Sequence, residues 1–416
     1  MRHRLAVAYD VDCFSPIEIV TAIGEDCDLI WVVDSSHPLG PMSMMLPRTG
    51  TVVDIANLSL DAAIAEVRKC GPQGIVAFSD SQLSTAAVIA SGLKLRHNEP
   101  AVTRLFLDKY EQRIALRNAG FVMPGIASIP ADVTAADVVA HTAHLVFPVV
   151  MKPRNGSGSR DTYLVETADE LVQLLAPTRG DRIAAGTEYV VEEYLTDSAA
   201  PGERDFADYV SVESVVVDRR ARHLGVTGKF PLAEPFRETG NFTPSRLAGA
   251  DLEAVIALAD GVIAALGVGY GCLHTEIKLT PSGPRLIESN ARVGGGGIEN
   301  LFVMSYGQSL VELAAKTALG VELPERIELR SGDVAFQLFV QAPVSARRIV
   351  RIDGLDRVSA LPGVAHVRQH LHAGDPIDWR LGSLEWVLTI GGSVSDHDAL
   401  RRLRAQILDG LDLGYE

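Results

Sequence analysis

Two apolar stretches, each carrying a single glutamate, constrain this chain more than any other feature. They are Cys272-Leu273-His274-Thr275-Glu276-Ile277-Lys278-Leu279 and Pro284-Arg285-Leu286-Ile287-Glu288-Ser289-Asn290-Ala291-Arg292, followed by the glycine run Gly294 to Gly297. The pattern predicts two β-strands joined by a turn at Pro281-Ser282-Gly283-Pro284. Side chains at i and i+2 of a strand share a face, so His274, Glu276 and Lys278 project together, as do Glu288, Asn290 and Arg292. Glu276 and Glu288 can then face one another. Two carboxylates and a carboxamide oxygen are hard ligands that suit Mg²⁺, which usually binds through one or two carboxylates plus substrate phosphates. The nearby Arg292 is suited to a phosphoryl group or an anionic substrate. The combination reads as a phosphoryl-transfer site with no Walker motif.

At 416 residues the chain exceeds one ordinary core, so two to four domains are expected. Hydrophobic residues make up 47% and charged residues 22%, the balance of a soluble globular protein. A formal net charge of −15 argues against unassisted binding to nucleic acid or to an anionic membrane, since no Lys/Arg block offsets it. Small-molecule substrates fit better. Cys13, Cys27, Cys70 and Cys272 are scattered without a C-x-x-C pair, so reduced thiols in a cytoplasm are expected. The basic Arg2-His3-Arg4 before an apolar run imitates a signal peptide, but Asp10 and Asp12 interrupt it, and a first strand is expected there. No apolar run reaches the length of a membrane span.

Strand-like and helix-like segments alternate over residues 1–95: Leu5–Tyr9, Pro16–Ile23, Leu29–Val33, Leu60–Lys69, Gly74–Phe78 and Thr85–Ser91. This predicts a Rossmann-like α/β domain with a parallel sheet. Residues 96–186 are expected to hold a linker helix, Val102 to Ala119 ended by Gly120, and a first lobe. There the strand Phe147-Pro148-Val149-Val150-Met151-Lys152-Pro153 runs into a loop, Arg154-Asn155-Gly156-Ser157-Gly158-Ser159-Arg160, and back into Thr162–Val165. Its glycines permit close backbone approach to a ligand. Residues 187–323 are expected to form a second lobe, opening at Tyr189–Leu195 and containing a long helix Leu252–Leu266 before the acidic strand pair. Residues 324–416 read as a small α+β C-terminal domain.

These pieces resemble the ATP-grasp superfamily, and within it carboxylate–amine ligases such as bacterial L-amino acid ligases. The resemblance rests on Asp108-Lys109 with Arg113, on Phe147 to Pro153 with Gly156-Ser157-Gly158-Ser159, on Val190-Val191-Glu192-Glu193-Tyr194-Leu195, and on His274 to Lys278 with Glu288 to Arg292. They occur in the family's order and span nearly the whole chain. The resemblance implies an ATP-grasp fold in which Lys109 and Lys152 contact ATP phosphates and Gly156, Ser157, Gly158 and Ser159 close over them. It implies that Glu192, Glu193 and Leu195 lie along adenine and ribose, held by backbone and by a carboxylate. Glu276, Glu288 and Asn290 would ligate Mg²⁺, with Mn²⁺ as an alternative, and Arg292 would be the catalytic residue facing an acyl phosphate. The implied reaction is attack of a carboxylate on the γ-phosphate, giving ADP and an acyl phosphate, then capture by an amine to form an amide. Both substrates would be small molecules, amino acids or related metabolites. Intramolecular cyclisation, carboxylation and a non-catalytic nucleotide-binding subunit are the rivals. Neither substrate identity nor oligomeric state, a homodimer included, is set by the sequence.

Several residues keep a plainer reading open. His274 fits a buried, hydrogen-bonded strand histidine as well as a substrate contact. Glu238 and Asn241 lie in the turn-rich segment Pro235–Ser245, which is either the wall of an amino-acid pocket or a surface loop. Gly295 and Gly296 either leave room for substrate or make a turn before the helix near Ile298. Gly267-Val268-Gly269-Tyr270-Gly271 follows a helix and precedes a strand, the wrong order for a dinucleotide fingerprint. His141 and His144 have no third ligand and read as helix surface.

Overall fold

A computed structural model describes residues 2–12, 14–131, 133–175, 187–196, 205–323 and 332–416. The N-terminal strands form a parallel sheet in the order Gly50–Asp54, Cys27–Val33, His3–Ala8, Gly74–Ala77. Leu5 and Val7 on one face and Ala6 and Ala8 on the other are all fully buried, as strands covered on both sides by helices require. The edge strand Gly50–Asp54 escaped the sequence reading because only its Val53 is buried, so its hydrophobic signal is weak.

The linker is not one helix over 102–119. It breaks into Pro100–Leu105 and Lys109–Asn118, because Asp108 adopts an extended backbone and caps the second helix. Its carboxylate accepts the amides of Tyr110 and Glu111 at 3.0 and 3.1 Å and is bonded from the other side by Arg154. A short acidic side chain satisfies orphan amides at a helix start better than it serves a helix interior.

The first lobe is an antiparallel sheet in the order Ile126–Ile129, Tyr189–Glu193, Val149–Pro153, Tyr163–Val165. The strand Tyr189–Glu193, expected to open the second lobe, is therefore an interior strand of the first. Its residues Tyr189 to Glu192 are buried on both faces, which only a central position provides.

The largest sheet is antiparallel and eight-stranded, in the order Gly283–Asn290, Gly271–Thr280, Tyr209–Val217, Arg220–Lys229, Gly240–Thr243, Val334–Gln341, Trp386–Val394, Val364–Gln369. It takes described strands from both sides of the expected boundary, so the C-terminal segment extends the second lobe's sheet. The reason lies in Val334 to Val340, buried throughout, which need a paired strand on each edge. One face of the sheet is apolar: Val210, Val212, Val216, Leu273, Ile277 and Leu286 pack under the helix Gly249–Ala265 through Val255, Ala259, Val262 and Ile263. The opposite face carries Glu213, His274, Glu276, Glu288, Lys229 and Asn241, as the alternation of side chains demands. The helix Leu310–Leu319 joins Val76 and Phe78 of the parallel sheet to Val215 and Cys272 of the large one in a continuous core. A two-stranded sheet, Ile349–Asp353 with Asp412–Tyr415, and the helix His397–Gly410 complete the C-terminal part. Cys27, Cys70 and Cys272 are free thiols, and Cys13 lies outside the described residues. No described helix is long and apolar enough to cross a membrane.

Candidate active site

The acidic strand pair forms in the expected register, with Glu276 directly opposite Glu288 and His274 opposite Asn290. A bulge after Glu276 leaves Ile287 unpaired, which keeps Leu286 on the apolar face and Glu288 on the polar one. The carboxylates are tucked in but open on one side, about a fifth exposed each. Asn290 donates from Nδ2 to Glu288 Oε1 at 3.2 Å, so its own carbonyl oxygen is the group left for a cation.

Around Glu288 the neighbours are cationic. Lys109 Nζ sits 3.7 Å from Glu288 and donates to the carbonyl of Gly156, tying the glycine loop to the acidic pair. Lys152 lies 3.0 Å from Glu192, and Arg113 meets the same carboxylate at 3.0 Å from below. Burial opposes charge on Glu288 and Glu192, but Lys109 and Lys152 overcome it at Glu288, and Arg113 and Lys152 overcome it at Glu192. Both carboxyls are held below their usual range and stay ionised.

Around Glu276 the pattern alternates. His274 Nδ1 is 2.8 Å from Glu213 Oε1 and its Nε2 is 3.2 Å from Glu276 Oε1. With a carboxylate at each nitrogen both must donate, so the ring is an imidazolium. Burial alone would lower its pKa, and the two glutamates reverse this and raise it to about 9. Lys229, buried at the end of its strand, lies 3.9 Å from Glu276 and 3.0 Å from Glu238. Burial works against its charge, yet Glu238 and Glu276 raise its pKa above the ordinary lysine value.

Other expected residues take more particular positions. Glu192 is paired with cations in the interior, while both Glu193 oxygens accept backbone amides, from Gly125 and Val146 at 3.0 Å each. The Glu193 carboxylate thus fixes two loops, and its own amide donates to the carbonyl of Gly125 at 2.9 Å. Arg292 lies just past the strand end and does not project freely with Glu288. Its guanidinium grips Asp80 at 2.9 and 2.8 Å, and its third nitrogen donates to the carbonyl of Val293.

In the loop that joins the two strands of the hairpin, Gly158 and Ser159 both have positive φ, 68° and 55°. Ser157 stands between Gly156 and Gly158 in this loop.

The glycine run divides. A Cβ on Gly296, whose φ is +60°, would lie 2.9 Å from Asn241 Nδ2, and that nitrogen donates to the Gly296 carbonyl at 2.8 Å. Gly294 and Gly297 are closed off by His274 and Gln337 in the same way, whereas a Cβ on Gly295 would meet nothing within 4 Å. Close packing explains three of the four glycines, and only Gly295 borders open space.

Asp80, Glu213 and Lys229 were missed as site residues. Glu213 carries the signal that revealed Glu276, a lone charge in an apolar strand, whereas Lys229 ends a strand that also holds Arg220 and Arg222. Asp80 has no local signal, because its partner is far away in sequence. Among the described residues no group of three or more His, Cys, Asp or Glu side chains is arranged to hold a metal. Two facing carboxylates and a carboxamide oxygen do fit Mg²⁺ whose remaining ligands are phosphate oxygens and water.

The ATP-grasp domain family matches residues 145–300, the span from the glycine-loop hairpin to the acidic strands. The uncharacterized protein y4rH of Sinorhizobium fredii is 26% identical over 370 residues, covering 86% of this chain and 73% of that protein. Carnosine synthase 1 of Homo sapiens is 26% identical over 311 residues, 70% of this chain but 36% of that protein, so the chain spans about a third of that relative's length. The crystal structure of an L-amino acid ligase from Bacillus licheniformis superposes with a TM-score of 0.77 over 100% of this chain and 99% of that one, at 20% identity. The match over residues 145–300 and the likeness along the whole chain show that the protein carries an ATP-grasp domain and has the ATP-grasp fold.

Proposed function

We propose that the protein is an ATP- and Mg²⁺-dependent ligase that joins a carboxylate to an amine, through an acyl phosphate, to form an amide or peptide bond. The observation that carries this is the pairing of Glu276 with Glu288 directly beneath a glycine loop, with Lys109 bonded to both the loop and Glu288. Phosphoryl transfer needs alignment and charge neutralisation more than covalent help from the protein. Lys109 and Lys152 supply cations on the phosphate side, and Glu276, Glu288 and Asn290 would hold the metal. The metal, when bound, neutralises the phosphates and the developing charge on them.

The remaining steps belong to the chain's own side chains. His274, fixed between Glu213 and Glu276, would hold the Glu276 carboxylate in place through its Oε1 oxygen. Arg292, clamped by Asp80, presents its charge beside the acidic pair, where negative charge develops during transfer. The Gly156 to Ser159 loop would exclude water from the acyl phosphate. The relatives named carnosine synthase and L-amino acid ligase favour amino acids or close analogues as both substrates. The test is ADP release from a matrix of amino acids and amines, with mass spectrometry of each product. An amide made with stoichiometric ADP is expected, and ADP released with no amide from any pair would sink the reading.

A further inference from the structure

The glycine loop is gripped by a turn that reaches it from the C-terminal part of the chain. In the turn Trp379–Leu384, Ser383 donates its amide to the carbonyl of Gly158 at 2.7 Å, and the carbonyl of Arg380 accepts the amide of Asp161 at 3.1 Å. Trp379 meets Tyr163, on the returning strand of the hairpin, edge to face at 5.7 Å. At Gly382, with φ of 73°, a Cβ would fall 2.1 Å from the Gly158 carbonyl oxygen, so any larger residue forces loop and turn apart. Asp378 stiffens the turn by accepting the Arg380 amide at 3.1 Å and holding the Arg380 guanidinium at 2.7 and 2.8 Å.

The same turn holds the other side of the site. The Ser383 hydroxyl, in a residue only 3% exposed, accepts the Glu238 amide at 3.0 Å. Gln341 locks the join by donating to the carbonyls of Ser383 and Glu238 at 3.1 and 2.9 Å. Glu238 in turn pairs with Lys229, the neighbour of Glu276. An unbroken path therefore runs from the loop through Ser383 and Glu238 to the acidic pair.

We propose that the Trp379–Leu384 turn couples the glycine loop to the segment carrying Glu238, with Ser383 as the positioning residue. This rests on the ligase reading above. In the coupled reaction a carboxylate oxygen attacks the γ-phosphorus, the bond to ADP breaks, and the amine nitrogen then displaces phosphate from the acyl carbon, losing a proton. If the loop is not held in step with the Glu238 segment, water takes the amine's place, returning carboxylate and phosphate with ATP spent and no amide formed.

The test uses the full chain with Ser383→Ala, Ser383→Thr and Gly382→Ala. The first readout is the ratio of ADP to amide, with a substrate pair that the wild type joins. The second is hydrogen exchange at the Asp161 and Ser383 amides without nucleotide. The wild type gives a ratio near one. Ser383→Ala, which removes one hydrogen bond, raises it about fivefold, and Ser383→Thr, which keeps the hydroxyl, restores it. Gly382→Ala raises the ratio and also speeds exchange at both amides. A ratio that stays at one in Ser383→Ala and in a folded Gly382→Ala overturns the coupling, as does unchanged exchange in Gly382→Ala. Absence of any amide from the wild type would instead count against the ligase reading, and the exchange measurement would still decide whether the turn holds the loop.

Discussion

Two clusters of buried charge meet at the Glu276–Glu288 pair, and their balances are opposite. Toward the glycine loop, the cations Lys109, Lys152 and Arg113 face the carboxylates Glu192 and Glu288. Toward the polar sheet face, the carboxylates Glu213, Glu276 and Glu238 face the cations His274 and Lys229. Buried charge without a partner is costly, so each cluster's surplus suits a ligand of the other sign. The cationic side fits a polyphosphate. The anionic side fits a metal ion and a substrate ammonium. On the proposed reading one strand pair divides a nucleotide half from a substrate half, and each half can be broken separately.

The largest effect is expected at the boundary itself. Glu276→Ala and Glu288→Ala should each abolish ligation while leaving thermal unfolding cooperative, since both carboxylates would hold the proposed metal. Near-normal kcat at saturating Mg²⁺ in either variant would remove that residue from the assignment. Arg292 comes next. Losing one donor aimed at developing charge costs roughly 10²–10³-fold in kcat, so Arg292→Met should fall in that range. Asp80→Asn, which keeps the guanidinium but loosens its clamp, should cost about tenfold, with the KM for ATP within a few-fold. If Arg292→Met changed only the KM for ATP, the residue would belong to the nucleotide half.

The sequence revealed the boundary and the cationic half well, and the anionic half poorly. Glu276, Glu288, Lys152 and the glycine loop sit in short stretches whose alternation and composition announce them. Glu213 is also a lone charge on an otherwise buried strand, and the same argument could have reached it. Asp80 and Ser383 could not be found that way, because each acts through a partner brought near only by the folded chain. The sheet order was hidden for a related reason. Alternation shows which face of a strand is buried but not which strands pair, so Tyr189–Glu193 was expected in the second lobe and Val334–Gln341 in a separate domain, whereas each joins a sheet across that boundary.

A stability measurement separates the halves further. Burial opposes the Glu192 charge, and Arg113 and Lys152 lower its pKa despite that. A depressed carboxyl stabilises the fold above its ordinary value of 4.5, and the gain is lost as pH falls from there through the folded value. Glu192→Gln should therefore cost about 3–5 kcal/mol at neutral pH by leaving Arg113 and Lys152 without their partner. The gap to wild type should shrink on acidification, as read by denaturant unfolding at stepped pH. A gap that stayed constant down to the acid limit would mean that Glu192 is not held as a carboxylate.

The smallest effects concern the glycine run. Gly295→Trp, at the position bordering open space, should narrow the accepted amine or acid to smaller members and leave ATP binding within a few-fold. Gly296→Ala, at positive φ and against Asn241, should cost about 1 kcal/mol or more in stability with no change of substrate profile. The reverse pattern would give Gly296 the substrate role and Gly295 the structural one.

The division into a nucleotide half and a substrate half has meaning only if a carboxylate crosses the boundary to take the phosphoryl group. That step is read directly by supplying the acid substrate with both carboxyl oxygens as ¹⁸O and following the label through one turnover. Attack on the γ-phosphate places one ¹⁸O in the released inorganic phosphate, with ADP as the nucleotide product. Label appearing in AMP, with pyrophosphate released, would mean an acyl adenylate and would contradict the account.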